Sequence, residues 1–245
     1  IAAIAKTAAI TVAAVVWAWI AWTPLIVIPA MLVIATQQHA MFVLAHDAAH
    51  YRLLKDRDWN DIVGRLFGSL AGISMCSYRV IHRLHHNNLY GSEDPDIALH
   101  GGYPRGKAYL RRKLLTDLAG LTAWKTFRYF FGAPALNTAT NMQARPLDDT
   151  SPALRAAARN DRHGVIVFQI LLVLAALSFG GWLGLVKYLV LWVVPVLTLL
   201  QAILRVRAIA EHGAPLDVHS PLTAARTNLT NPLTRFVLFP HHVNY

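Results

Sequence analysis

Histidines gather in three short stretches of this sequence, HDAAH at 46–50, HRLHH at 82–86 and FPHHVNY at 239–245. On a helix, residues at i, i+3 and i+4 share one face, so each of the first two stretches directs its imidazoles toward one place. A further histidine, His212, ends the helical pattern RAIAEHG. Neutral imidazole is a common ligand for zinc, iron, copper and nickel. Five or more imidazoles exceed the four ligands of a usual structural zinc site, so the pattern favours two metal ions.

Carboxylates flank both clusters. Asp47 lies inside the first, and SEDPD at 92–96 follows the second with Glu93, Asp94 and Asp96. Carboxylates that accept the second imidazole N–H are the rule at histidine–metal sites, because they fix the tautomer and the ring orientation. Asp47 is favoured over the loop acids, whose alternative is a solvated turn around a proline. Four isolated histidines are expected to be hydrogen-bonded residues without a chemical role: His39, His100, His163 and His219.

The chain that must position these residues is apolar. Of its 245 residues, 55% are hydrophobic and 15% are charged, whereas about 25% are charged in an average soluble domain. A helix needs roughly 20 apolar residues to cross a bilayer. Four stretches approach that length: 1–22, 24–44, 165–181 and 182–204. The third is short enough to be a buried soluble helix on its own, but four such stretches in two pairs favour membrane spans.

Short turns join the members of each pair, WTP at 22–24 and SFGGW at 178–182. Each pair therefore forms a helical hairpin, and all long polar segments lie on one side of the membrane. Of the 23 Lys and Arg residues, 17 fall in 46–162 and 4 in 205–245, and the positive-inside rule places that side in the cytoplasm. The sequence predicts a single all-α integral membrane domain, with two transmembrane hairpins (four spans) and a cytoplasmic helical cap that carries the histidines.

The basic cap is expected to meet lipid rather than nucleic acid. The net charge of +10 attracts anionic lipid headgroups, and no nucleic-acid recognition motif accompanies it. The stretch 105–132 mixes Lys and Arg with Leu, Trp, Phe and Tyr, which suits helices lying in the membrane interface. A docking surface for an acidic electron carrier is the alternative. Residues 144–164 are predicted to be a polar connector into the third span.

The motifs resemble the membrane fatty acid desaturase superfamily. The matching parts, which run in order from about residue 24 to the end, are HDAAH, HRLHHN followed by EDPD, RAIAEHG, and RTNLTNPLTRFVLFPHHVNY. Members carry three histidine boxes, HxxxH, HxxHH and a second HxxHH, and the last normally follows the NY directly. This chain begins without Met and ends at Tyr245, one residue short of that box. We therefore expect a piece of a longer protein that, by itself, is inactive and binds metal weakly or not at all.

The resemblance implies a site with two iron ions that binds O2, receives two electrons from an outside carrier and removes hydrogens from an acyl chain. The expected metal ligands are His46, His50, His82, His85, His86 and His212. The side chains expected to support these ligands are Asp47, Asp96, His241, His242 and Asn244. The sequence has no GxGxxG unit, no haem CxxCH motif and a single cysteine, so the reductant must be another protein, such as a ferredoxin or a cytochrome b5.

The expected activity is desaturation of a fatty acyl substrate, and two alternatives stay open. Box spacing does not separate desaturation from hydroxylation, because both begin with the same hydrogen abstraction; a carotenoid or lipid hydroxylase or ketolase of the same superfamily is therefore the first alternative. The second is a metal-binding membrane protein without enzymatic activity. A transporter is expected to carry ionisable residues in mid-membrane, and these spans carry almost none, which disfavours it.

Overall fold

The computed structural model describes residues 1–91, 94–96, 103–131, 152–213, 226 and 228–238. Within these ranges the regular structure is helical, without a strand, as the composition predicts. The α-helices are α1 (Ala2–Ile20), α2 (Pro24–Ala49), α3 (Arg57–Leu70), α4 (Met75–Asn87), α5 (Lys107–Leu118), α6 (Ala123–Phe131), α7 (Pro152–Tyr188), α8 (Val194–Leu197), α9 (Leu199–His212) and α10 (Pro232–Val237). A π-helix, Leu189–Val193, joins α7 to α8.

Helices α1 and α2 pack side by side around a short turn, as the sequence predicts. Pro24 stands in the first turn of α2, where its missing N–H costs nothing because that donor has no helical partner. The second helix runs further than expected, because it continues through the predicted membrane boundary to Ala49. The first histidine cluster and the apolar stretch therefore belong to one continuous helix.

The second apolar region is built less regularly than the sequence suggests. Helix α7 begins at Pro152, so the second half of the predicted polar connector is helical. Gly181 interrupts α7 with φ 56° and ψ −146°, a backbone conformation open in practice to glycine. A Cβ added to Gly184 would lie 2.2 Å from the carbonyl oxygen of Ala176, so the segments before and after Gly181 approach each other closely.

Three helical segments are long and apolar enough to cross a membrane: Ala2–Ile20, Pro24–Ala49 and Pro152–His212. The last of these, at 61 residues, includes both stretches that the sequence separates into a third and a fourth span. Large apolar side chains are exposed along all three segments, among them Val16, Trp17, Leu25, Ile28, Leu32, Ile170, Leu171 and Leu174. A contiguous apolar belt of this kind is typical of a membrane-facing surface.

The two chain reversals lie at the same end of the molecule. The ammonium group of Lys187 donates a hydrogen bond to the carbonyl oxygen of Trp19 (2.6 Å), and the Trp19 ring lies against Gly180 and Gly184. Helix α2 and the segment that ends with α9 both start from this end. Their last residues, with His50 and His212, therefore lie together at the opposite end.

Helix α2 forms the centre of the fold, and its second half is buried almost throughout. It contacts α1, α3, α4, α9 and α10. Helix α3 crosses it closely at Gly64, where an added Cβ would lie 2.3 Å from the Cβ of Ala48. Ser74 is the N-cap of α4, and its hydroxyl accepts a hydrogen bond from the backbone N–H of Ser77 (3.1 Å), as N-cap residues usually do. These contacts fix α4 beside the end of α2.

Candidate metal centre

The six expected ligands lie at the C-terminal ends of three helices. His46 stands in the last turn of α2 and His50 follows that helix as its C-cap. His85 and His86 stand in the last turn of α4 and His82 one turn earlier, and His212 is the last residue of α9. Carbonyl groups at a helix C-terminus carry partial negative charge and favour a cation nearby. Three such termini meet at this site.

The first group of imidazoles comes from α2 and α4. The ring centres of His46 and His50 are 4.7 Å apart, and those of His46 and His82 are 4.6 Å apart. His86 joins them, because its Nε2 lies 3.0 Å from Nε2 of His82. The ligand nitrogens of His46, His50 and His82 all lie within 4.8 Å of one another. The i, i+4 spacing read from the sequence thus places both pairs against each other.

The second group comes from α4 and α9. His85 turns away from the first group toward His212, and their ring centres are 5.1 Å apart. His85 still lies 5.5 Å from the rings of both His82 and His86. The hydroxyl of Tyr90 donates to the backbone carbonyl of His212 (3.2 Å) and so links the end of α9 to the loop after α4. The six histidines therefore form one continuous cluster with two centres.

A buried carboxylate orients His85. Its Nδ1 donates to Asp94, whose side chain is fully buried, over 2.7 Å, and Asp96 lies 3.8 Å from the same nitrogen. This leaves the lone pair on Nε2, the tautomer that a metal requires. Burial lowers the pKa of His85, but the bond to Asp94 and the charge of Asp96 outweigh burial and raise the pKa above its usual value.

Three histidines of the cluster, His50, His82 and His86, have lowered pKa values and are neutral at ordinary pH. Burial, with the neighbouring imidazoles, brings the pKa of His82 well below its usual value. Burial and the nearby His85 lower the pKa of His86 to about 4. Burial also lowers the pKa of His50. A neutral ring keeps the lone pair that binds a metal.

The donor set fits metal ions of the imidazole-binding class. An ion about 2.1 Å from each nitrogen requires nitrogens of one ion to lie within about 4.2 Å of each other. The separation of up to 4.8 Å among the first three ligand atoms needs only small rotations to meet that limit. The two Nε2 atoms of His82 and His86 already face each other. His85 and His212 stand apart from this set, with their ring centres 5.1 Å from each other.

Support for the ligands differs from the expected order. Asp47 lies 3.3 Å from Nδ1 of its neighbour His46, a longer contact than the Asp94 bond that the sequence ranks below it. The structure also adds Tyr78, whose ring stacks on His82 at 4.8 Å and whose hydroxyl is hydrogen-bonded to His82 Nδ1 (3.2 Å). Tyr78 precedes His82 by four residues, so helical spacing alone contains the signal that would have found it.

An arginine missed by the sequence analysis ties the two histidine helices together. Arg79 of α4 donates from Nε to the carbonyl of Ala49 (3.1 Å) and from Nη2 to that of Ala48 (2.9 Å). These carbonyls close α2 immediately before His50. Its Nη1 donates to Asp61 of α3 (3.0 Å). Because Arg79 is 3% exposed, these bonds replace all contact with water and fix both helices.

Several expected positions lie elsewhere. His39 is buried and is hydrogen-bonded from Nδ1 to the carbonyl of Val237 (3.1 Å), which agrees with its expected hydrogen-bonded role. His163 is exposed on α7. Seven residues of interest lie outside the described ranges: Glu93, His100, His219, His241, His242, Asn244 and Tyr245.

Comparison of the sequence with known proteins identifies a family and several relatives of this chain. The family model described as fatty acid desaturase matches residues 17–245. Dihydrorhizobitoxine desaturase of Bradyrhizobium elkanii is 29% identical over 193 residues, 75% of this chain and 51% of that protein. Delta(12)-fatty-acid desaturase of Arabidopsis thaliana is 26% identical over 189 residues, which are 73% of this chain and 48% of that protein. Delta(8)-fatty-acid desaturase of Euglena gracilis is 42% identical over 57 residues, which are 22% of this chain and 13% of that protein. The chain spans about half the length of the first two relatives.

Proposed function

The chain belongs to the fatty acid desaturase family, and we propose that in the full-length protein its six clustered histidines hold two iron ions and support O2-dependent desaturation of a fatty acyl chain. The observation that best supports two ions is the division of the six histidines into two groups of rings. His82 and His86 face the α2 histidines, while His85 faces His212. A nitrogen-rich donor set suits iron as well as other imidazole-binding metals.

The proposed reaction balances when a separate carrier protein supplies two electrons. Two C–H bonds of the acyl chain give up two electrons and two protons, an external carrier supplies two further electrons, and solvent supplies two protons. O2 leaves as two water molecules and the chain gains one double bond. Iron ions held by the histidines would supply the oxidising power for an unactivated methylene, which no unaided side chain provides. We propose a ferredoxin- or cytochrome b5-like protein as the carrier.

The described residues perform the supporting tasks. Asp94 holds the tautomer of His85, and Tyr78 holds the ring orientation of His82. Phe42 packs edge to face on Tyr78 (5.4 Å) and on Phe130 (5.7 Å), and the rings of Tyr78 and Phe130 lie tilted at 5.6 Å. This aromatic layer lies beside His46 and His82 and keeps water from that side of the site. An apolar surround favours a lipid substrate and protects the centre from side reactions.

We further propose four membrane spans within a single domain, with the histidines on the cytoplasmic side. The glycine break at Gly181 and the close approach of Gly184 to Ala176 support division of the long Pro152–His212 segment into two spans. The concentration of Lys and Arg in 46–162 and 205–245 supports the sidedness. That charge also favours anionic lipid headgroups as neighbours.

A fatty acyl substrate is proposed because two of the three relatives compared above are named for fatty acids. The third is named for dihydrorhizobitoxine, so substrates differ within the family. All three are named desaturases, which gives no support to the hydroxylase or ketolase alternative.

Expression of the full-length gene in cells, followed by analysis of extracted lipids, tests the proposed function. New double bonds are expected, and His85→Ala is expected to reduce product by about 100-fold at unchanged protein level, because His85 is one of the proposed metal ligands. His163→Ala, at an exposed histidine, serves as the matched control and should retain full activity. Oxygenated products instead of double bonds, or undiminished product from His85→Ala, would contradict the proposal.

A further inference from the structure

We propose that the α5–α6 hairpin holds one anionic phospholipid, with its phosphate on Arg111 and Arg112 and its acyl chain along Leu115 and Leu121. The proposal rests on the membrane placement given above and goes beyond general headgroup attraction, because it assigns a defined groove. The groove has a volume of about 410 Å³ and is lined by Ala108, Arg111, Arg112, Leu115, Thr116, Ala119 and Leu121.

Contacts with α8 and α9 set the level of the hairpin relative to the apolar spans. Arg205 stands at the end of the apolar stretch 182–204 and donates to Asp117 of α5 (2.9 Å). Just beyond, Gly120 approaches the chain so closely that an added Cβ would lie 3.4 Å from the carbonyl oxygen of Leu197. Helix α5 therefore lies at the membrane boundary, and the turn after it reaches the level of the apolar stretch.

The first turn of α6 keeps the hairpin at this level. The hydroxyl of Thr126 donates to Oε1 of Gln201 (2.6 Å), and Gln201 also belongs to the apolar stretch. Large apolar side chains on the outer side of the hairpin are exposed: Leu115 by 54%, Leu118 by 43%, Leu121 by 65% and Trp124 by 55%. Such exposure is unfavourable in water but favourable in the upper part of a bilayer.

Charge and apolar surface follow each other along the groove. Arg111 and Leu115 stand four residues apart and share a face of α5, as do Arg112 and Thr116. Eight residues separate Arg111 from Ala119, which is on the order of 12 Å along a helix. An amphiphile with an anionic head and a tail matches this order. Arginine suits a phosphate in particular, because its planar donors bind two oxygens at once.

The two arginines lack acidic partners in the described part of the chain, whereas Arg205 is already paired with Asp117. An acidic electron carrier would also meet these cations. However, a water-soluble carrier has no access to the apolar half of the groove, which lies at the level of Leu197 and Gln201. A lipid satisfies both halves, so we assign the groove to a lipid.

Native mass spectrometry of the full-length protein, equilibrated with equal amounts of phosphatidylglycerol and phosphatidylcholine, tests the assignment. We expect one phosphatidylglycerol to be retained, and the double variant Arg111→Gln/Arg112→Gln to reduce its occupancy at least fivefold. The matched control Lys125→Gln/Arg128→Gln removes the same charge from the same hairpin outside the groove and should keep occupancy unchanged. Equal losses in both variants, no preference for phosphatidylglycerol, or undiminished lipid occupancy in the first variant would each overturn the proposal.

Fluorophore depth measurements separate failure of this site from failure of the membrane placement. Cys76 is the only cysteine and is fully buried; burial raises the pKa of its thiol to about 12, so a new surface cysteine is labelled selectively. A dye on Leu121→Cys and one on Leu32→Cys of α2 should both be quenched by lipids brominated on the acyl chain. Quenching only at position 32 would reject the groove alone. Quenching at neither position would reject the membrane placement and the groove with it.

Discussion

At the scale of single residues, Arg79 connects three helices. It joins the end of α2, which carries His46 and His50, to the start of the histidine face on α4, and it also binds Asp61 of α3. The Asp61 carboxylate raises the pKa of Arg79 despite burial, so the guanidinium stays charged. Three elements thus depend on one side chain. Removing one partner of a buried ion pair leaves the other charge uncompensated, at a cost of about 3–5 kcal/mol.

Arg79→Met is therefore expected to lower the free energy of unfolding by about 3 kcal/mol, because Asp61 and two helix-end carbonyls lose their donor. Unfolding in mixed micelles by a denaturing detergent measures the change. Arg52→Met, at an exposed arginine near the same helix end, is the control and should stay within about 0.5 kcal/mol of the parent. A loss in Arg79→Met no larger than in this control would remove the structural role assigned to Arg79.

Sequence spacing predicts much of the site at this scale, but not its supports. The i, i+4 histidine pairs need only helical geometry, and the structure brings them together. The Asp94 bond to His85 and the Arg79 bonds to α2 depend on how a loop returns and how two helices cross. Such contacts join residues that local periodicity does not relate, so no spacing rule points to them.

At the scale of elements, α4 is held at its first turn by a distant carboxylate. Asp161 of α7 accepts hydrogen bonds from the hydroxyl of Ser74 (2.7 Å) and the backbone N–H of Cys76 (2.9 Å). Both donors belong to the N-terminus of α4, where helix N–H groups lack helical partners and favour negative charge. The histidine helix is thereby fixed from both ends: by Asp161 at its start and by Asp94 near its finish.

Asp161→Ala should lower the free energy of unfolding by about 2 kcal/mol, because it leaves buried donors without an acceptor. Asp161→Asn should lose less, since the amide oxygen still accepts a hydrogen bond. Equilibrium unfolding of the three proteins, compared side by side, gives the order. Asp58→Ala removes an exposed carboxylate from the first turn of α3 and should cost no more than about 0.5 kcal/mol. Equal losses from substitution at positions 58 and 161 would contradict the role of Asp161 in holding the first turn of α4.

The elements themselves were predictable where composition decides them. Apolar stretches and short turns predict α1, α2 and the reversal near Gly181. The helix across 152–164 was not predicted, because its polar residues read as a connector. In the structure this helix is held by tertiary contacts, such as the hydrogen bond from Ser74 to Asp161, which the local sequence does not reveal.

At the scale of the whole molecule, the apolar helices meet at the end opposite the histidines. Gly184 lets the segment after the Gly181 break lie against Ala176, and Lys187 joins the same region to α1 through Trp19. These contacts connect the two halves of the chain. Their geometry sets where α9, and hence His212, stands relative to α2.

Gly184→Ala is expected to destabilise the protein by about 2 kcal/mol, because its Cβ would collide with the Ala176 backbone and force the segments apart. Gly164→Ala makes the same chemical change where nothing lies within 4 Å. It should instead stabilise the protein by up to about 1 kcal/mol, since alanine favours the helix. Thermal melting in detergent distinguishes the two. The same sign of shift in both variants would contradict the close approach.

The π-helix Leu189–Val193 gives the segment before His212 one place that tolerates a change in length. A π-turn accommodates one more residue than an α-turn, so deleting one residue there would leave an ordinary α-turn and largely keep the orientation of the helix that follows. A deletion within α9 would instead rotate His212 by about 100° relative to α2, because each helical residue advances the rotation by that angle. The last expected ligand would then turn away from His85 with every histidine still present.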